Sequence, residues 1–300
     1  MKKVFSIKKK INSFNQKISI SGDKSLSIRW VLLASQAVGK SKAYNLLMSE
    51  DVMSAIDSIK KLGIKVKINK NYCEIYGNGI NGFKYKKNLI LNAKNSGTLG
   101  RLILGLLVRS PYKIKLIGDK SLSKRDFSRI TTPLKKFGAK FYYKTKNKLP
   151  LSILGTKSLE GINYLENKGS AQCKSSVMLA ALNASGTTSI KAKKSRDHSE
   201  LLFKYLKIPT KIKKTLNYDF IDIKQPTKIK AFNYRIPADI SSSAFFIVLT
   251  ILANNSKLLI KNVNINPSRT GVIKILKKMG AKIFFKNIKS YKGEKISDIL

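Results

Sequence analysis

Apolar residues recur at helical spacing along this chain, and several of the apolar runs end in a glycine followed by an alternating segment. One such end is residues 60–66 (KKLGIKV), and similar heptapeptides lie at 135–141 (KKFGAKF) and 277–283 (KKMGAKI). A weaker copy occupies residues 204–208 (KYLKI). A glycine after the last apolar turn is typical of a helix C-cap. The pattern therefore predicts, at each copy, a helix end followed by a strand.

These copies divide the chain into four repeats of similar length. The C-cap positions Gly63, Gly138, Lys207 and Gly280 follow one another at intervals of 75, 69 and 73 residues. The first helix of each repeat is predicted to start at 22–25, 95–98, 169–172 and 238–241, and the second at 50–51, 123–125, 195–196 and 268–269. With strands such as 113–117 and 188–191 between the helices, each repeat is predicted to be β-α-β-α-β-β. The fold class is therefore α/β (α+β).

One octapeptide occurs twice, as residues 22–29 (GDKSLSIR) and residues 118–125 (GDKSLSKR). Each copy offers a turn, an ammonium, hydroxyls and a guanidinium, which are groups that hold an oxyanion. Helix N-termini add free N–H groups and partial positive charge, so several termini side by side indicate a polyanionic ligand. Serine, asparagine and aspartate at these positions are also ordinary N-caps, and for any single terminus that explanation stays open.

Composition bears mainly on partners and compartment. The formal net charge of +44 invites a nucleic-acid interpretation, but only eight of the 60 basic residues are arginine and the lysines occur in almost every segment. The charge therefore indicates a compositional bias, and nucleic acid is not the expected partner. Cys73, Cys173 and the single histidine, His198, give no disulfide framework and no histidine-rich metal site. We expect a cytoplasmic protein with no signal peptide and no membrane span.

The motifs resemble, in order, the signatures of the 5-enolpyruvylshikimate-3-phosphate (EPSP) synthase family. The first is residues 22–29 and the second is residues 95–101 (NSGTLGR). The later ones are residues 118–129, 170–175 (SAQCKS), 196–198 (RDH), 238–242 (ADISS) and 266–271 (NPSRTG). The resemblance covers nearly the whole chain, and it therefore implies a fold, a reaction and a set of site residues.

The implied activity is that of an enolpyruvyl (carboxyvinyl) transferase of the shikimate pathway, on the route to chorismate and the aromatic amino acids. In this family the 5-hydroxyl of shikimate-3-phosphate adds to phosphoenolpyruvate, and inorganic phosphate leaves by elimination. No metal and no organic cofactor is needed, and a monomer is expected for the full-length protein. Two phosphates and two carboxylates must be held close together, which requires cations and N–H groups to offset their repulsion.

The resemblance assigns ten site residues, namely Lys24, Ser25, Arg29, Asn95, Gly97, Arg125, Ser170, Ala171, Gln172 and Arg196. Lys24 would contact both substrates, and it would either assist proton transfer as a catalytic residue or only neutralise phosphate. Ser25 and Arg29 would bind shikimate-3-phosphate, and Arg196 would bind its phosphate. Residues 170–172 would bind the phosphate and the ring of the same substrate.

The remaining assignments concern phosphoenolpyruvate. Gly97 would let the backbone approach this substrate closely, and Asn95 would shape the loop. Arg125 would clamp phosphoenolpyruvate, although Asp126, where the family usually has proline, would weaken the positive field beside it. His198 is expected to be a residue of a helix first turn, and Asp239 is expected to be an N-cap.

The family fold has two domains of three repeats each, whereas this sequence contains four repeats. We therefore expect one complete domain at 21–233, and a partial second domain made of residues 1–20 and 234–300, with one repeat of three. The family's general-base aspartate and further acidic and basic groups belong to the part that has no counterpart here. A lone repeat would leave an apolar face uncovered, so we also expect poor solubility or a partner.

Other functions remain to be compared with this one. An enolpyruvyl transferase that acts on UDP-N-acetylglucosamine shares the fold, but it carries a cysteine in the loop that corresponds to residues 118–125, where this chain has none. A non-catalytic descendant that binds a phosphometabolite or nucleic acid is the alternative from another class. Binding of ligand without turnover, or RNA binding that falls steeply with salt, would indicate such a descendant.

Overall fold

The computed structural model of the protein describes Ser6 and residues 11–300. The helices of this part are α1 (Lys24–Ser35), α2 (Glu50–Lys61), α3 (Gly97–Leu106), α4 (Lys120–Ser123), α5 (Ser128–Lys136), α6 (Ala171–Ala181), α7 (His198–Tyr205), α8 (Ile240–Leu252) and α9 (Gly271–Lys278). The strands are β1 (Asn15–Ile18), β2 (Val38–Tyr44), β3 (Lys65–Ile68), β4 (Tyr72–Asn78), β5 (Ile90–Asn92), β6 (Ile114–Ile117), β7 (Lys140–Tyr143), β8 (Leu151–Leu154), β9 (Asn163–Glu166), β10 (Thr187–Lys193), β11 (Thr210–Lys214), β12 (Tyr218–Lys224), β13 (Asn233–Arg235), β14 (Lys257–Asn264), β15 (Phe285–Tyr291) and β16 (Glu294–Ile299).

The strands form four sheets with one common order. In the sheet β5-β6-β8-β7, β5 runs parallel to β6, and β8 lies antiparallel between β6 and β7. The sheet β9-β10-β12-β11 has the same arrangement. Each repeat therefore consists of a strand, a helix, a parallel strand, further helix and an antiparallel pair. This confirms the predicted repeated α/β architecture.

The other two sheets take their first strand from a distant part of the chain. β13 pairs in parallel with β2 in the sheet β13-β2-β4-β3. β1 pairs in parallel with β14 in the sheet β1-β14-β16-β15. The first and fourth repeats are therefore each completed by a strand that lies outside their own stretch of sequence.

The contacts of the chain define two compact units. The larger unit is Gly22–Ile236, and it contains α1 to α7 with three of the sheets. The smaller unit consists of Pro237–Leu300 and the described residues up to Ser21, and it contains the fourth sheet with α8 and α9. The division falls after Ile236 because β13 belongs to the sheet of β2, and because Ile236 N–H donates to the carbonyl of Tyr44.

The central helix of the larger unit is α1. All its residues from Ser25 to Ser35 are buried, and it contacts α2, α3 and α7. A helix that is buried on every side must satisfy its polar side chains within the protein. Ser27 and Arg29 of α1 bond to groups outside the helix, and the contacts of Arg29 shape the site described below.

The ends of the first helix in each repeat follow from local chemistry. A side chain accepts a backbone N–H at the start of α1, α3, α6 and α8, and the N-cap residues are Asp23, Ser96, Ser170 and Asp239. The C-cap position of each repeat has positive φ, at Gly63, Gly138, Lys207 and Gly280. These starts and ends agree with the sequence prediction, because capping depends on residues only a few positions apart.

The second helix begins later than predicted in three repeats. α5 begins at Ser128, α7 at His198 and α9 at Gly271, whereas α2 begins at Glu50 as expected. In the second repeat, residues 120–123 form the separate helix α4. Asp126 then accepts the N–H and the O–H of Ser128, and this contact across two residues starts α5.

The smaller unit carries an apolar surface on α8. Phe245 is 79 % exposed and Leu252 is 75 % exposed, and Phe246 and Ile251 on the same helix are also exposed. Its sheet packs against Ile240 and Ile247 of α8, so the described residues of this unit cover only one side of the helix. Within the described residues, no helix combines the length and the apolar character that crossing a membrane requires.

Candidate active site

All ten predicted site residues lie in the larger unit. Lys24, the first residue of α1, is exposed, and its Nζ lies 3.7 Å from Asp51 Oδ2 at the start of α2. Ser25 follows it and is buried. Asp23 caps the helix by accepting the N–H of Leu26 at 2.9 Å. The start of α1 therefore presents an exposed ammonium beside a capped helix end.

Arg29 lies one turn further along α1, and it is only 4 % exposed. Its Nε donates to Ser199 Oγ of α7 at 2.8 Å, and its Nη2 donates to Ser175 Oγ of α6 at 3.0 Å. Nη1 donates to the carbonyl of Ser25 at 3.1 Å. The guanidinium thus fixes the N-terminal turns of three helices relative to one another.

Gln172 ties α6 to α3. Its Oε1 accepts Arg101 Nη1 at 2.8 Å, and its Nε2 donates to Thr98 Oγ1 at 3.1 Å. Gln172 and Thr98 are each the second residue of their helix. Together with the Arg29 contacts, these bonds bring the N-terminal turns of α1, α3, α6 and α7 to one place. Such a cluster of helix N-termini favours anions.

Gly97 is the first residue of α3, and two guanidiniums lie against it. A Cβ on Gly97 would stand 2.8 Å from Arg125 Nη1 and 2.9 Å from Arg101 Nη1. A side chain at residue 97 would therefore push these flexible guanidiniums aside. The expected close approach of the Gly97 backbone to phosphoenolpyruvate stays a prediction. Arg125 and Arg101 belong to separate helical segments that meet at this backbone.

Three arginines lie close enough to interact. Burial lowers the pKa of Arg101, and the neighbouring positive charges of Arg125 and Arg129 lower it further. Hydrogen bonds from Ser128 hold the pKa of the Asp126 carboxyl below its usual value, with smaller contributions from Arg101 and Arg129. Asp126 therefore starts α5 and offsets part of the arginine charge. Because one carboxylate stands beside three guanidiniums, the cluster keeps a net positive charge that favours a bound anion.

Asn95 holds the loop before α3. Its Nδ2 donates to Asp119 Oδ2 at 2.6 Å, and this bond is the main cause that lowers the pKa of Asp119. Asp119 in turn caps α4 through the N–H of Leu122 at 2.7 Å. The second octapeptide copy and the loop of Asn95 are therefore one connected structure.

Ser170 and Ala171 begin α6. The Oγ of Ser170 accepts the N–H of Cys173, and the N–H of Ser170 donates to Glu166 Oε2 at 2.8 Å. Arg196 is exposed in the segment before α7, and His198, the first residue of α7, is fully buried. His198 is thus a residue of a helix first turn, as expected, and Asp239 of the smaller unit is an N-cap, as expected.

The family model for EPSP synthase (3-phosphoshikimate 1-carboxyvinyltransferase) matches residues 8–297. The chain belongs to the EPSP synthase family. It is 39 % identical over 292 residues to a 3-phosphoshikimate 1-carboxyvinyltransferase of Petrotoga mobilis, covering 96 % of this chain and 66 % of that protein. A protein of the same name from Bacillus subtilis is 38 % identical over 293 residues, covering 97 % of this chain and 67 % of its own length.

The fold of the chain is similar to solved structures of EPSP synthases. An EPSP synthase from Acinetobacter baumannii superposes with a TM-score of 0.86 at 35 % identity, covering 96 % of this chain and 64 % of that one. The chain therefore spans about two thirds of the length of the EPSP synthases that it matches.

Sequence reasoning missed several residues of this candidate site. Thr98, Ser175 and Ser199 were not assigned, yet each bonds to a predicted site residue. Buried Lys174 and Glu200, whose Nζ and Oε1 lie 2.5 Å apart, were not assigned either. Two signals were available for them. Each residue stands within about a turn of a predicted helix start, and Thr98, Lys174 and Ser175 also lie inside the motifs 95–101 and 170–175.

Proposed function

We propose that this chain supplies binding and catalytic residues of a 3-phosphoshikimate 1-carboxyvinyltransferase. The reaction transfers the enolpyruvyl group of phosphoenolpyruvate to the 5-hydroxyl of shikimate-3-phosphate and releases inorganic phosphate. The observation that carries the proposal is the clustering of four helix N-termini, those of α1, α3, α6 and α7, through the contacts of Arg29 and Gln172. That cluster matches the need to hold several anionic groups together.

Arg101 and Arg125 are assigned to the binding of phosphoenolpyruvate, the smaller substrate. Arg125 and Arg101 flank Gly97, and their mutual repulsion is relieved when a phosphate or carboxylate binds between them. We assign phosphoenolpyruvate to this place, clamped by Arg125 next to the loop of Asn95. Shikimate-3-phosphate is assigned to the ends of α1 and α6, where Ser25, Arg29 and residues 170–172 lie, with Arg196 on its phosphate.

The chemistry is an addition followed by an elimination. The 5-hydroxyl gives up its proton as its oxygen bonds to C2 of phosphoenolpyruvate, while C3 gains a proton. C3 then loses a proton as the bond between C2 and the phosphate oxygen breaks, and inorganic phosphate leaves with that oxygen. Lys24 is assigned a catalytic role because the motif match places it between both substrates and because its ammonium is exposed at the start of α1, beside Asp51. It lowers the barrier by offering a proton or by offsetting charge that develops during the addition.

Location and assembly belong to the same proposal. Both cysteines, Cys73 and Cys173, are buried thiols and not disulfide-bonded, which supports a reducing cytoplasm. We assign the full-length protein as a monomer, since every predicted site residue comes from one compact unit of one chain.

The decisive experiment measures inorganic phosphate released from phosphoenolpyruvate by the purified chain, with and without shikimate-3-phosphate. Release that requires shikimate-3-phosphate supports the proposal. Binding of shikimate-3-phosphate without release indicates a binding-only protein or a need for the remaining third of the family's length. Binding of RNA that shikimate-3-phosphate does not compete with contradicts the proposal.

A further inference from the structure

Glu166, the last residue of β9, is a carboxylate that is only 3 % exposed. Its Oε2 accepts the N–H of Ser170 at 2.8 Å, and its Oε1 accepts the N–H of Lys168 at 3.3 Å. The two oxygens therefore close the loop that leads from β9 into α6. Gly169 in this loop has a φ of +66°, a backbone conformation that suits glycine.

The bonds of this loop hold the polar groups of Ser170. The Ser170 N–H is committed to Glu166, and its Oγ accepts the N–H of Cys173 at 3.3 Å. The side chain of Ser170 also hydrogen-bonds the thiol of Cys173. Fixing the backbone of Ser170 therefore fixes the first turn of α6, to which its side chain is bonded on both counts.

Glu166 reaches a second element as well. Its Oε1 lies 3.3 Å from Arg129 Nη2, and Arg129 is in the first turn of α5, four residues after Arg125. Arg129 is one of the two arginines whose charge lowers the pKa of Arg101. A single buried carboxylate thus bonds both to the start of α6 and to the arginine cluster, and a buried anion between two such donors is held in one arrangement.

We propose that Glu166 is a positioning residue, which holds the Ser170 end of α6, where shikimate-3-phosphate is assigned, at a fixed place relative to the arginines assigned to phosphoenolpyruvate. The inference rests on the proposed function for the identity of these substrates. The negative charge of Glu166 repels anions, yet by this role the residue strengthens anion binding through the position that it gives to α6. Removing the charge by substitution weakens anion binding, whereas simple electrostatics would strengthen it.

The test compares Glu166→Gln, which keeps the size and one acceptor oxygen, with the matched control Glu160→Gln, an exposed carboxylate of the same unit. Amide hydrogen exchange at residues 168–173 is measured without ligand, and the dissociation constant for shikimate-3-phosphate is measured by calorimetry. We expect faster exchange at Ser170 and about tenfold weaker binding for Glu166→Gln, with no change for Glu160→Gln. Arg129→Gln combined with Glu166→Gln should weaken binding less than the two single effects multiplied.

Three results would overturn the inference. They are unchanged exchange at Ser170, unchanged or tighter binding by Glu166→Gln, and an equal loss in the Glu160→Gln control. If the wild-type chain binds no shikimate-3-phosphate, the proposed substrate is wrong, and inorganic phosphate becomes the probe. Weaker phosphate binding by Glu166→Gln alone then supports the positioning role, and equal or absent phosphate binding in both proteins contradicts it.

Discussion

Gly97 and Arg125 are in such close contact that a single added methyl group would have no room, since a Cβ on Gly97 would stand 2.8 Å from Arg125 Nη1. The opposing atom is the tip of a flexible side chain, and so is Arg101 Nη1 at 2.9 Å. An added methyl group therefore displaces guanidiniums without disturbing the backbone. A substitution at Gly97 can therefore change ligand binding by the two arginines without changing the stability of the fold.

Gly97→Ala should weaken phosphoenolpyruvate binding by about tenfold or more, equal to about 1.4 kcal/mol, and leave thermal stability nearly unchanged. Calorimetric titration and a thermal melt measure the two effects. Gly100→Ala is the matched control in the same helix, because a Cβ there meets its neighbours at ordinary distances of 3.5 Å or more. Equal binding by both variants would show that the two guanidiniums do not hold phosphoenolpyruvate.

Lys24→Met and Arg125→Ala should each lower kcat/KM for enolpyruvyl transfer by at least about a hundredfold, because each removes a charge next to the reacting groups. The measurement is phosphate release at varied concentrations of each substrate. Lys113→Met is a suitable control, since the ammonium of Lys113 stacks on Tyr142 on the surface of a sheet, 3.9 Å from the ring centroid. A similar loss in Lys113→Met would mean that net charge, and not position, is responsible.

The buried pair Lys174–Glu200 should show strong coupling in stability. Burial raises the pKa of Glu200, and the ammonium of Lys174 opposes that rise. Lys174→Met leaves a buried carboxylate without its partner and should cost about 3–5 kcal/mol in the free energy of unfolding. Adding Glu200→Leu should restore most of it, as measured by urea denaturation.

A control for that pair is Lys94→Met, because Lys94 and Glu50 form an exposed pair at 3.4 Å. The expected cost is below about 1 kcal/mol. If the double variant Lys174→Met/Glu200→Leu proved less stable than Lys174→Met, the buried pair would not be coupled as the structure indicates.

The smaller unit should lose stability in acid through Asp298. This carboxylate accepts the N–H of Asn262 and bonds from Lys261 and Asn287, and these contacts outweigh burial and lower its pKa to about 2. Because the folded pKa lies below the unfolded value, the stabilisation is complete above about pH 4 to 5 and is lost as the pH falls toward 2. Its size is about 2 kcal/mol.

Amide exchange in β14 and β16, corrected for intrinsic rates, measures this loss between pH 5 and pH 2, an interval set by the linkage relation. Asp298→Asn should exchange faster at neutral pH and lose this dependence on pH. Asp57→Asn, an exposed position in α2, should behave as wild type. A pH dependence that survives in Asp298→Asn would assign the effect to another carboxylate.

The apolar surface of α8 should limit solubility. Phe245→Lys together with Leu252→Lys should raise the solubility limit and lower the binding of an apolar dye, because both side chains are largely exposed. Leu216→Lys in a turn of the larger unit is the control, since Leu216 is 90 % exposed but does not belong to the α8 surface. Equal solubility of the α8 double variant and Leu216→Lys would show that the apolar surface of α8 does not cause the self-association that limits solubility.

Much of the local structure could be predicted from the sequence. The C-cap positions, the starts of α1, α3, α6 and α8, and the βαβαββ order follow from capping residues and from apolar spacing. The later start of α5 could not be foreseen, because a side-chain contact between Asp126 and Ser128 competed with the continuation of α4. Such competition between local alternatives is decided by the surrounding packing.

The sequence by itself determined the repeats, their caps and the motifs of the family, since these depend on residues a few positions apart. Only the tertiary structure decided that β13 completes the first sheet and β1 the fourth. It also decided that Arg29 bonds to Ser175 and Ser199, and that Glu166 bonds to Arg129. Those pairs are far apart in the chain, and nothing in the local pattern selects them. They form because buried polar groups must find partners among whatever side chains the packed helices bring near.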